Sequence, residues 1–183
     1  MPRRRPGTIL GTSTFAILLL LSAVPARADD MFLQLGDVAG DVTAAPYQNW
    51  INIASWSWGA TNSTTVAAGT GYSAGKAAVS ALTLMKSADS GTPRLVDAVV
   101  RGAHFPKAAL AVRRSSDGWE YLRIRLEDVL VTSDQLSAAG ERPEESVAVT
   151  FARYVLDYKP GPGKPTVSYG WDVARNAPFN PAP

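Results

Sequence analysis

The window that most constrains how this chain can fold is residues 51–59, Ile-Asn-Ile-Ala-Ser-Trp-Ser-Trp-Gly. Successive side chains on a strand point to opposite faces, so Trp56 and Trp58 share one face while Ser55 and Ser57 share the other. Two indoles on one short strand bring more apolar area than any other window, and each carries an N–H that wants a partner once buried. The indole face is predicted to be core, with Trp56 and Trp58 as anchors. The serine face must then look at something polar: water, a lumen or a neighbouring subunit.

Residues 1–28 read as a leader to be set aside before the fold is considered. Arg3, Arg4 and Arg5 form a basic start, residues 9–21 are mostly apolar, and Ala26-Arg27-Ala28 is a small-x-small cleavage site. The apolar run is interrupted by Gly11, Thr12, Ser13 and Thr14 and is shorter than a spanning helix needs. Residues 29–183 then make a single domain with room for a sizeable core. Its product is expected to be periplasmic or secreted, with no membrane contact after cleavage of the signal peptide.

Charge and cysteine usage narrow the function classes. Four of the 18 Lys and Arg (Arg3, Arg4, Arg5, Arg27) and none of the 16 Asp and Glu fall in the leader, so the remainder is slightly acidic. No basic run survives beyond pairs such as Arg113-Arg114, which argues against a nucleic-acid partner. There is no cysteine. Stability must come from core burial or assembly, and thiol nucleophiles and thiolate metal sites are out of reach.

Along the domain, Met31-Phe32-Leu33-Gln34-Leu35 reads as a first strand, closed by Gly36 and the turn-rich Ala39-Gly40-Asp41. Residues 59–75, dominated by Gly, Ala, Ser and Thr, read as a long loop: a flap, or an arm packed on another chain. Residues 78–86 read as a strand. The helix signal is Thr92 as N-cap, Pro93 at the first helical position, Leu95, Val96 and Val99 as the apolar stripe, and Gly102 as terminator.

Period two then returns. Leu110 and Val112 alternate, Asp117-Gly118 marks a hairpin turn, and Leu122, Ile124 and Leu126 alternate with Tyr121, Arg123, Arg125 and Glu127. Residues 134–145, with Gly140 and Pro143, read as a loop in which Glu144-Glu145 serves solubility. Residues 147–158 read as a strand whose apolar parity shifts, for which a bulge near Ala152 and Arg153 would account. Pro160 to Pro165 breaks the chain, Val167, Tyr169, Trp171 and Val173 alternate as a last strand, and the Asn- and Pro-rich tail reads as disordered. Many short strands with one helix predict a closed or sandwiched β architecture.

No catalytic set emerges. His104 is the only histidine and lacks an evident partner, so it reads as a structural hydrogen-bonding residue. Without cysteine or a second histidine the usual zinc sites are unavailable, and no Gly-x-Ser-x-Gly elbow is present. Adjacent strand residues face opposite ways, so Glu127 and Asp128 are not expected to share a site. Gly69, Gly71 and Gly75 resemble a phosphate loop only superficially, because Lys76 is not followed by Ser or Thr. The expectation is a protein without enzymatic activity, cofactor or metal.

An ordered set of motifs points further. Met31-Phe32-Leu33, Gly36-Asp37-Val38 with Gly40, Trp56-Ser57-Trp58-Gly59, Thr92-Pro93, His104-Phe105-Pro106-Lys107 and Glu120-Tyr121-Leu122 come first. Val129-Leu130-Val131, Phe151-Ala152 with Asp157-Tyr158, and Tyr169-Gly170-Trp171-Asp172 follow. Through residues 31–175 this series resembles the haemolysin-coregulated protein (Hcp) family, the tube protein of the type VI secretion system. The resemblance implies a mainly β fold: a small antiparallel β-barrel of two packed sheets with one α-helix and a long extended loop.

It also implies hexameric rings that stack into a conduit carrying effector proteins, with sheath and spike components as further partners. Carried onto this chain, Ser57, with Ser55 beside it, would face the bore, and Trp56, Trp58 and Trp171 would anchor the core. The loop bearing Gly59, Gly69, Gly71 and Gly75 would be the inter-subunit arm. Tube-building members generally lack a signal peptide, so an exported paralogue, acting as a periplasmic or secreted binding module without tube assembly, stands as the alternative.

Overall fold

A computed structural model describes residues 29–67 and 71–179; the proposed leader and Gly69 lie outside the described residues. The elements are β1 (Asp30–Leu35), β2 (Ile51–Ile53), β3 (Ser55–Ser57), β4 (Ala60–Ala67), β5 (Gly71–Val79) and β6 (Leu82–Ser87). After these come α1 (Thr92–Arg101), β7 (His104–Arg113), β8 (Glu120–Ser137), β9 (Glu144–Tyr158), β10 (Val167–Asp172) and β11 (Ala177–Pro178).

The fold is mainly β, antiparallel throughout its described pairings, with one helix. One nine-stranded sheet runs β11-β10-β9-β8-β7-β1-β2, and β6 joins it through β9 and carries β3 on its other edge. β9 is thus shared: its N-terminal half pairs with β6, its C-terminal half with β10, and its opposite edge with β8. The sheet folds over on itself without closing. At the fold-over, the Ala54 amide donates to the Met85 carbonyl at 2.7 Å.

The principal core lies between the folded halves and includes Leu33, Leu35, Ile51, Ile53, Leu82, Leu84, Leu110, Ile124, Leu126, Val129, Val131, Val147 and Val149. Each fully buried side chain of this kind is worth roughly 1.5–3 kcal/mol relative to exposure. β1 is buried on both faces. Leu33 and Leu35 enter the principal core, while Phe32 joins Val42, Tyr47 and Ala111 in a second cluster. There Phe32 stacks on Tyr47 at 4.8 Å, and the Arg113 guanidinium lies over both rings.

Several sequence expectations are corrected. Residues 51–59 are two strands, not one, because the chain leaves β1 at Ala54 to pair with β6. The strand expected over 78–86 is interrupted at Ser80 and Ala81. Helix α1 is capped by Gly91 without a side-chain bond, so Thr92 is not its N-cap; Gly102, at φ 62°, does terminate it. Its buried residues are Leu95 and Ala98, with Val99 packed beside them, while Val96 turns outward.

The parity shift has a different origin from a bulge at Ala152. Register runs unbroken from Glu127↔Arg153 to Val129↔Phe151, and slips only between Val131 and Ser133. Residues of the principal core switch from Ile124 and Leu126 to Val129 and Val131 in β8, and from Val147 and Val149 to Tyr154 in β9. Asp128, at φ 55°, sits at the switch. Both strands therefore change faces together, each spending one residue, and the ladder between them survives. The tail is also ordered through Phe179, since β11 pairs back on β10.

The largest correction concerns residues 134–145. β8 continues to Ser137 and β9 begins at Glu144, so the loop is only residues 138–143. Glu145 is fully buried and accepts from the buried Lys86 ammonium opposite it and from the Thr92 hydroxyl. Lys86 also reaches Asp89 at 2.9 Å. Both Asp134 oxygens and Glu145 Oε1 are buried without a donor among the described residues, so one proton shared between the two carboxyls would satisfy Glu145 Oε1 and one of the Asp134 oxygens. Burial, then repulsion from Glu145, pushes Asp134 up to about 6.

A carboxyl whose folded-state pKa is raised stabilises the fold at low pH, and that contribution is lost as pH rises from about 4 through about 6. Asp134→Asn supplies a permanent donor. It should raise stability by about 1–2 kcal/mol above pH 7 and by progressively less below pH 6, as read by urea denaturation across pH. Lys86→Ala, which leaves Glu145 buried without its cation, should cost about 3–5 kcal/mol in the same assay.

Candidate assembly surface

With the core accounted for, three regions remain: the β3 strand, the β4–β5 ribbon and the charged outer face of β7, β8 and β9. β3 pairs with β6 through Ser55↔Met85, Trp56↔Leu84 and Ser57↔Thr83. Trp56 and Trp58 are half-buried and pack against the principal core, while Ser55 and Ser57 are exposed on the other side. Trp58 meets Tyr154 edge-on at 4.7 Å and Phe151 at 6.1 Å. Its Nε1 is buried and finds no acceptor among the described residues. Trp171 is half-buried against the same core and stacks with the exposed Tyr169.

The stretch read as a loop is a two-stranded ribbon, β4 with β5, set apart from the main sheet. Its residues are mostly small and polar, but a ladder needs only backbone. Register slips between Asn62 and Thr64, and the Asn62 side-chain Nδ2 donates to the Gly75 carbonyl at 3.0 Å. A Cβ at Gly75 would lie 2.6 Å from the Ser63 carbonyl oxygen, so glycine is required there. Gly71 pairs with Ala67, and Gly59 stands in open space at the root. The composition of residues 59–75 reads as a long loop, a flap or an arm packed on another chain; the described part is paired instead.

The outer face carries ion pairs across neighbouring strands, Arg113 with Asp30, Arg125 with Asp157 and Arg153 with Glu127, and Glu120 pairs with Arg123 of its own strand and with Lys159 just beyond β9. Burial pushes Glu120 up, but hydrogen bonds from Arg123, Tyr47 and Lys159 outweigh it and hold the carboxyl below its ordinary range. Burial and the bond to Glu120 push the Tyr47 hydroxyl up to about 12. These charges are satisfied by one another. Apart from Glu120 with Arg123, these pairs clamp neighbouring segments, a role invisible to strand alternation because the partners are far apart in the chain.

His104 is exposed, and its Nδ1 lies 3.2 Å from Asp128 Oδ1. Glu127 serves Arg153 instead, so the two adjacent acids have separate partners. Among the described residues no three His, Cys, Asp or Glu side chains are grouped to hold a metal ion.

Trp58→Phe removes the orphaned indole N–H along with some apolar area, so it should cost under about 1 kcal/mol, whereas Trp58→Ala should cost about 3 kcal/mol. Thermal denaturation of the two variants side by side checks the difference.

Comparison with known proteins places this geometry. The family profile described as "Type VI secretion system effector, Hcp" matches residues 32–158. The chain is 36% identical over 159 residues to Protein hcp1 of Pseudomonas aeruginosa, covering 81% of this chain and 98% of that one. Among solved structures, one described as a type six secretion system protein superposes with a TM-score of 0.77 at 26% identity, covering 83% of this chain and all of that one. Hcp1 from Salmonella typhimurium does so with 0.73 at 26% identity, covering 84% of this chain and all of that one. The chain belongs to the Hcp family of the type VI secretion system.

Proposed function

We propose that this chain is a non-enzymatic building block of a protein conduit: six copies close into a ring, rings stack, and effector proteins travel in the bore. A tube-forming structural role is that of its family. The observation that carries the reading is the match to Protein hcp1, which spans 98% of that protein. Ring closure would also cover strand edges that otherwise invite aggregation.

Ser57, with Ser55, is proposed to border the bore. An exposed hydroxyl row opposite a half-buried indole row supports this, because small uncharged groups would let passengers of varied surface slide past. Trp56, Trp58 and Trp171 are proposed as the anchors that hold this row in place. The segment bearing Gly59, Gly69, Gly71 and Gly75 is proposed to reach a neighbouring subunit, since a two-stranded ribbon such as β4–β5 is marginal by itself. Sheath and spike components are the further partners proposed. A catalytic role for His104 finds no support, because its ring faces Asp128 with no nucleophile in the pair.

Residues 29–183 are proposed to form one domain, delivered by a leader in residues 1–28 on the basic, apolar and small-residue pattern. That pattern also supports the second reading, an exported binding module that keeps the fold without stacking.

Light scattering after size exclusion on residues 29–183 should give a ring-sized particle; a strict monomer at high micromolar concentration would remove the conduit reading. In Ser57→Glu, intact rings with lost effector retention are expected, whereas loss of folding would mean that the strand faces are assigned backwards.

A further inference from the structure

We infer that Asn176 is a positioning residue for the β4–β5 ribbon, fixing the direction in which it leaves the body and so the surface it offers to a second copy of the chain. The contact is read from geometry alone; its purpose rests on the tube-subunit reading above.

At the root of the ribbon, the Ser80 amide donates to the Gly59 carbonyl and the Gly59 amide to the Ser80 hydroxyl. These bonds join the two strands to each other at the end where Val79 packs on the principal core. Among the described residues, the hydrogen bond that ties the ribbon to another element is Ala77 N–H to Asn176 Oδ1, 3.1 Å, across 99 positions of sequence. Ala77 lies on the ribbon's edge, where its N–H would otherwise be an unpaired strand donor.

The acceptor is firmly mounted. Asp172, buried at the end of β10, accepts from the Arg175 amide at 2.8 Å and folds the chain into a turn. β11 then pairs back on β10, and the Phe179 amide donates to the Gly170 carbonyl at 2.9 Å. A side chain at Gly170 would collide with the Phe179 carbonyl, so the segment can lie this close only against glycine. Asn176 sits in the turn at φ 53°, a conformation that Asn and Asp tolerate far better than other non-glycine residues. One residue type thus meets two demands, left-handed backbone and a side-chain acceptor. The clamp comes from beyond residues 32–158, where the family profile matches.

Two substitutions separate those demands. Asn176→Gly keeps the backbone conformation and deletes the acceptor; Asn176→Asp keeps both. Hydrogen exchange at the Ala77 amide should speed up about fivefold in Asn176→Gly and stay close to wild type in Asn176→Asp. Electron microscopy should show Asn176→Gly forming rings but few stacked tubes, and Asn176→Asp restoring the tubes. Unchanged exchange at Ala77 in Asn176→Gly, equal impairment in both variants, or full stacking in Asn176→Gly would each overturn the inference. A monomeric wild type would instead bring down the conduit reading, and the exchange comparison would still decide whether the clamp exists.

Discussion

The ladder between β8 and β9 is the constraint from which the other elements hang. It runs with one register slip from Leu122↔Tyr158 to Ser137↔Glu144, and it supplies the edges on which β7, β6 and β10 assemble. A ladder this long could not serve two facing halves of a core if its buried face stayed constant. The change of face at Asp128 and Ala152 solves this. Because both strands spend one residue at the same level, the inward set changes side while hydrogen bonding continues. The folded, open sheet follows from that crossover.

Polar groups reinforce the same frame from both sides. Outside, the carboxylates of Glu127 and Asp157 each face a guanidinium from a neighbouring strand, and exposed pairs of this kind contribute modestly one by one. Inside, Lys86, Glu145, Thr92 and Asp89 join β6, β9 and the start of α1 through desolvated contacts, where losing one partner is costly. The helix is held by this polar knot at its N-terminal end and by Leu95 and Ala98 along its length.

Legibility in the sequence tracked how local the determining forces are. Alternation at Leu110 and Val112 and at Ile124 and Leu126 follows from two-residue periodicity, and Gly102 from the left-handed backbone it adopts. Composition misled wherever a strand's purpose was not burial in an apolar core. The ribbon is a backbone ladder of mostly small residues, and Glu145, in a stretch that reads as a polar loop, is buried because it meets a cation 59 positions away. Ala54 breaks the window 51–59 for a tertiary reason: its two halves belong to different edges of the sheet. The contact of Asn176 with Ala77 was equally hidden, since neither residue carries a local signal for the other.

The buried pairing of Lys86 with Glu145 has an effect separate from its strength. The two residues stand directly opposite in the β6–β9 ladder. If β6 were to slide by a single position, the ammonium would turn to the far side of the sheet and the carboxylate would be marooned in the dry interior. Leu82 and Leu84 would leave the core in the same slip, and the stranded charge adds its own penalty to theirs. The pair therefore works as a key cut for one alignment, admitting the native zippering of these strands and rejecting its nearest competitors.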